Sequence, residues 1–131
     1  MKGRTRIERT EEIARRLVNL MEHRHLYRQA GLTREELART AMTNRTYVTL
    51  AMESMHTTFS EFVNSYRVRN AVDLLLRYDN SRLSISEVAE MCGFSSMETM
   101  SRWMKKNIGM SPTMLKKRKL LREHFIRKLK I

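Results

Sequence analysis

One cysteine, one proline and four glycines in 131 residues leave this chain little with which to build bridges, kinks or loops. Cys92 alone cannot start a disulfide framework or complete a zinc site. Aromatic residues make up only 7%, and no stretch shows the apolar–polar alternation of a half-buried strand. No apolar run approaches the ~18 residues needed to cross a bilayer, and the basic N-terminus leads into no signal-peptide core. Nucleophile–base sets, paired carboxylates and a phosphate loop of the G-x-x-x-x-G-K type are also missing, so no enzymatic activity, cofactor or metal site is expected. His23 and His25 are two positions apart and diverge on a helix, while His56 and His124 have no obvious partner in the pattern.

What the chain does have is positive charge. Lysine and arginine number 26 against 14 acids, for a net charge of +12, which makes a polyanion the natural partner. The excess is uneven: residues 102–131 hold eleven basic groups and one acid, whereas residues 31–80 hold six of each. A solvated basic tail that only aids solubility is the plain alternative.

The apolar spacing is helical nearly throughout. Ile13, Leu17, Leu20 and Met21 predict a first helix from about Glu8 to His23. After Gly31, Thr33 followed by Glu36 reads as a capping box, opening a short helix with Leu37, Ala38 and Ala41 inward. Asn44 can cap a third helix with Tyr47, Val48, Ala51 and Met52 inside. A long helix should follow from Phe59 to Tyr78, carrying Phe62, Val63, Tyr66, Ala71, Val72, Leu74 and Leu75 and broken by Asp79, Asn80 and Ser81. At 1.5 Å per residue, about twenty residues give a rod of roughly 30 Å, close to one turn of B-DNA. Ile85, Val88, Ala89 and Cys92 then stop at Gly93, and a second amphipathic run opens on Ser95 and Ser96. Met91, Met100 and Met104 read as core fillers on inner faces.

The pattern also repeats. Leu32-Thr33-x-x-Glu36-Leu37-Ala38 returns 51 residues later as Leu83-Ser84-x-x-Glu87-Val88-Ala89, with Ala41 answering Cys92 and Asn44 answering Ser95. Each copy is a helix, a tight turn and a second helix, the arrangement by which a recognition helix enters a major groove. Each half alone would be a marginal core, so the two are expected to share packing. The chain divides as a helix and linker (1–31), a first helix-turn-helix (32–58), a connecting helix (59–80), a second helix-turn-helix (81–118) and a basic helical extension (119–131).

With both copies in view, the stretch from Leu32 to Lys116 resembles the DNA-binding domain of AraC/XylS-type transcription regulators. The second copy carries most of the likeness, in Ser84-Ile85-Ser86-Glu87-Val88-Ala89, Cys92-Gly93-Phe94-Ser95-Ser96, Ser101-Arg102 and Gly109-Met110-Ser111-Pro112. The resemblance implies an all-α fold of about seven helices, two tandem helix-turn-helix subdomains joined by a long helix, and control of transcription at a promoter. It also implies base-facing positions at Arg45, Thr46 and Thr49 in the first copy and at Met97, Glu98, Ser101 and Arg102 in the second. The chemistry suits these places: arginine forks onto guanine, glutamate accepts from cytosine, and threonine or methionine packs on a thymine methyl. Asn44, Ser95, Ser96, Lys105 and Lys106 are expected on the phosphate backbone. Several positions depart from the family pattern. Leu50 stands where many members place an arginine, Met42 replaces the usual turn glycine, and the stretch after the first recognition helix lacks a glycine and is one residue short. Trp103 is expected to supply volume to a repacked second core.

Double-stranded DNA is therefore the expected partner, in the cytoplasm, with RNA polymerase or an N-terminal sensor domain, even in a membrane-bound regulator, as further candidates. Beyond Leu115 the sequence KKRKLLREHFIRKLKI leaves the family pattern and places Leu120, Leu121, Phe125 and Leu129 on one side of a basic helix. It can continue the last helix, contact phosphates, or lie on a membrane or an acidic partner. A nonspecific nucleic-acid coat and a membrane- or protein-docking module are the competing readings of the whole.

Overall fold

The computed structural model describes residue 3, residues 5–77 and residues 82–129, the last for its backbone only. Seven α-helices and one 3-10 turn, with no strand, make up the described residues. They are α1 (Arg6–Glu22), the turn Leu26–Arg28, α2 (Arg34–Thr40), α3 (Arg45–Ser54), α4 (Phe59–Arg77), α5 (Ile85–Met91), α6 (Met97–Ile108) and α7 (Pro112–Leu129). The expected break at Asp79, Asn80 and Ser81, and the helix end at Tyr78, lie outside the described residues.

The chain forms two compact units, residues 1–66 and 67–131. In the first, α1 packs chiefly on α3, and Ile13, Leu17, Leu20 and Met21 meet Leu37, Ala38, Val48, Ala51 and Met52 in one cluster. Tyr27, in the turn after α1, belongs to that core and stacks on Tyr66 at 6.0 Å between ring centroids. In the second unit, Val88, Ala89, Cys92 and Phe94 close on Met100, Met104 and Leu115. Phe62 and Val63 of α4 enter the first cluster, while Val68, Ala71 and Leu75 of the same helix enter the second.

The helix starts follow from hydrogen bonding. The first amides of a helix have no partner within it, so an oxygen just upstream must take one. Thr5, Thr33, Asn44, Ser84 and Ser96 accept from Glu8, Glu36, Tyr47, Glu87 and Thr99 respectively. Thr5 explains why α1 begins two residues before the expected Glu8, since it forms a reciprocal capping box with that glutamate. The box expected at Thr33 is only half present. The Glu36 carboxylate accepts from the Gln29 side chain and from the Thr33 hydroxyl instead of from the Thr33 amide, and the complete boxes are at Thr5 and Ser84.

The two copies also differ in the turn. Met42 (φ 58°) occupies the left-handed position that Gly93 (φ 90°) fills in the second copy, and Thr43 and Phe94 close equivalent hydrogen bonds onto Ala38 and Ala89. The following caps are Asn44 and Ser96, so the second turn is one residue longer and Asn44 corresponds to Ser96 rather than to Ser95. A left-handed conformation strains a side chain with a Cβ. Met42 is 85% exposed and buries little to offset that strain. Met42→Gly should therefore stabilise the protein by about 0.5–1 kcal/mol, seen as a higher urea midpoint at unchanged slope. An unchanged or lower midpoint would show that the strain is relieved locally.

Two core assignments need amending. Met100 and Met104 are fully buried, but Met91 is exposed at the end of α5, because the helix stops there and only Cys92 turns inward. Trp103 is half-buried at the edge of the second cluster, with Lys106 Nζ over its ring at 4.9 Å.

Candidate nucleic-acid interface

In each unit the second helix of the repeat starts at the surface. Asn44 Oδ1 accepts from the Tyr47 amide at 3.0 Å and Ser96 Oγ from the Thr99 amide at 3.1 Å, fixing the first turns of α3 and α6. One face of each helix is buried, through Val48, Ala51 and Met52 in α3 and Met100 and Met104 in α6. The opposite face is left to solvent.

Of the expected base-facing residues, Arg45, Thr46, Met97, Glu98 and Arg102 are exposed, while Thr49 and Ser101 are half-buried. They lie at the first, second and fifth positions of α3 and at the first, second, fifth and sixth of α6. Counted from the caps, Leu50 of α3 stands where α6 has Arg102, so α3 carries its arginine in the first turn and α6 in the second. Arg102 Nη2 donates to Thr99 Oγ1 at 3.4 Å, a long bond that leaves most of the guanidinium open.

The expected phosphate contacts fall into two kinds. Lys105 and Lys106 are exposed in the last turn of α6, where cations also suit the helix dipole. Ser95 is exposed with Oγ 3.3 Å from Thr99 Oγ1, whereas Ser96 is half-buried and committed to capping. The oxygen of Asn44 is likewise engaged by Tyr47, which leaves its NH2 group as the donor suited to a phosphate.

The structure adds residues that single-helix patterns did not reveal. Glu35, in the first turn of α2, accepts from Arg45 Nη1 at 3.0 Å. No periodicity relates positions ten apart across a turn, so only the fold brings them together. Arg9 and Arg16 of α1 line an open cleft of about 500 Å3 with Met42, Asn44 and Tyr47, beside the start of α3. Arg16 is held there by Glu12 at 3.0 Å and by the Ala41 carbonyl at 2.9 Å. Lys116, which the sequence places in the basic tail, donates to the Leu83 carbonyl at 3.2 Å and ties α7 to the segment before α5. Burial lowers the Arg67 guanidinium below its ordinary value. Among the described residues no group of three or more histidine, cysteine or acidic side chains could hold a metal, and no helix is long and apolar enough to cross a membrane.

No curated protein is a significant match to the chain. Two solved structures share its fold. The C-terminal domain of AraT, a response regulator from Geobacillus stearothermophilus, is 24% identical with a TM-score of 0.67, over 81% of this chain and 84% of that one. A DNA-binding transcriptional dual regulator from Escherichia coli K-12 is 18% identical with a TM-score of 0.65, over 92% of this chain and 99% of that one. Residues 37–118, which run from α2 into α7 and include both repeats, match the family described as a helix-turn-helix domain. The chain therefore belongs to the AraC-type helix-turn-helix family of DNA-binding transcription regulators.

Proposed function

We propose that the protein reads DNA sequence through α3 and α6, each entering its own segment of the major groove. The observation that carries this reading is the exposure of Arg45, Thr46, Met97, Glu98 and Arg102 on helices whose opposite faces are locked into a core. A side chain that reads a base edge must be accessible while its backbone is fixed, and these positions meet both conditions. Asn44, Ser95, Lys105 and Lys106 set the helices on the sugar-phosphate chain without discriminating sequence. Selection of bound sites from a random DNA pool, followed by footprinting, tests the reading. It predicts a consensus and protection over two neighbouring major-groove segments; recovery of unrelated sequences would refute it.

The pair formed by Glu35 and Arg45 bears on this role. Both side chains are more than half exposed, so the bond contributes little to stability. Its use is to orient the guanidinium, leaving the Nε and Nη2 edge to fork onto guanine. Glu35→Gln should leave the melting temperature nearly unchanged. It should raise affinity for random DNA and narrow the gap between the selected site and random DNA by about 0.2–1 kcal/mol in competition binding. An unchanged gap would show that Arg45 orients itself.

The basic extension favours a second reading, in which charge rather than base contact supplies the affinity. Deleting residues 117–131 removes seven basic residues. If they bind phosphates, the slope of log K against log salt should fall by about 0.9 for each phosphate that the extension neutralises. The sequence-reading proposal expects preference for the selected site to survive that deletion. Loss of both affinity and preference would favour the nonspecific coat.

A further inference from the structure

A groove of about 650 Å3 runs between Leu76, near the end of α4, and one side of α7, lined by Leu115, Leu121 and Ile126 and by the charged residues Arg118, Lys119, Arg122 and Glu123. Its apolar floor grows out of the second core: Leu115 is 7% exposed, Ile126 is 40% and Leu76 is 45%. From Leu115 to Ile126 the helix advances roughly 16 Å, room for about three turns of a second helix. The rim is cationic. Three cations, Arg118, Lys119 and Arg122, share the lining with one acid, Glu123, and Arg118 and Arg122 repel each other at helical i,i+4 spacing.

We propose that this groove docks an acidic amphipathic helix of a partner protein. Other occupants fit the groove less well. A second copy of the chain would bring the same cations against these. The sugar-phosphate surface of DNA would satisfy the rim but leave Leu76, Leu121 and Ile126 uncovered. A bilayer is flat and cannot reach a concave floor shared by two helices, and Lys116, Lys117, Arg118 and Lys119 follow one another around the whole circumference of α7, so no face of it is free of charge. A helix with leucines at i, i+3 and i+7 and glutamates beside them would cover the floor and neutralise the rim together.

The test uses the full chain and a fluorescein-labelled 16-residue peptide of glutamate with leucine at helical spacing, read by fluorescence anisotropy. Two control peptides replace the leucines by serine or the glutamates by glutamine. Only the parent peptide should bind well, and Leu76→Asp or Ile126→Asp should weaken it by about tenfold or more. Arg122→Glu, an exposed change, should weaken the parent peptide and favour one with lysine in place of glutamate. Circular dichroism and Trp103 fluorescence check that each variant keeps its fold. Binding of the serine peptide as tight as the parent would reduce the groove to a charge sink and overturn the proposal. So would indifference to all three substitutions, displacement of the peptide by phosphatidylglycerol vesicles, or self-association of the chain that the same substitutions abolish.

Discussion

Arg102→Ala should weaken binding to the selected DNA site by about 1–3 kcal/mol while leaving binding to random DNA nearly untouched. Arg102 is exposed in the second turn of α6, and its long bond to Thr99 can be given up without cost to the fold. Thermal stability should accordingly stay within about 0.5 kcal/mol of the parent. A phosphate contact would behave differently, losing similar energy on both DNAs and lowering the salt slope by about one. Arg102→Lys separates the two further, because lysine keeps the charge and loses the fork. If Arg102 reads a guanine, lysine should behave like alanine on the selected site. Equal losses on selected and random DNA would remove Arg102 from the reading set.

Leu37→Ala should destabilise the first unit by about 2–5 kcal/mol, the cost of reduced burial plus a cavity that the surroundings fill incompletely. Leu37 is fully buried in a cluster with side chains of α1 and α3. The chain carries its own reporter for the other unit, since Trp103 is its one tryptophan and borders the second cluster. The two clusters have no member in common. The helical signal from α1 to α3 should therefore melt at a lower temperature than the Trp103 signal in this variant. Identical shifts of both signals would mean that α4 transmits the loss in full.

Much of this molecule was legible in the residues. Spacing located the buried stripes Ile13–Leu17–Leu20–Met21 and Val48–Ala51–Met52, because a helix with one wet face must repeat its apolar residues at about 3.6. The repeat was legible too, since in both α2 and α5 a hydroxyl just upstream accepts from the amide of a glutamate three residues on. Other features depended on the tertiary fold. Tyr27 is buried from a 3-10 turn too short for any period to register. The pairing of Asn44 with Ser95 failed because an inserted turn residue leaves the downstream pattern intact and only displaces it by one. The Glu36 carboxylate accepts from the Gln29 side chain and the Thr33 hydroxyl, and residue spacing alone does not distinguish these partners from the Thr33 amide. Met91 has the residue type and nearly the phase of a core position, but α5 ends before its side chain can meet a neighbour. In the site, the exposure of Arg45 and Thr46 on α3 followed from the same periodicity, whereas Met97, Glu98 and Arg102 on α6 were named from the family resemblance. The contact between Glu35 and Arg45 followed from neither, for it joins two helices across a bend.

The unequal placement of the arginines has a consequence for the target. In α3 the guanidinium stands at the opening residue and in α6 more than a full turn further in, with a glutamate near the opening where α3 has a threonine. If both helices contact bases as proposed, they present dissimilar chemical faces to them. Their preferred operator is then expected to be lopsided, two unlike words in a fixed order rather than one word written twice, so that the protein can sit on a promoter in only one direction.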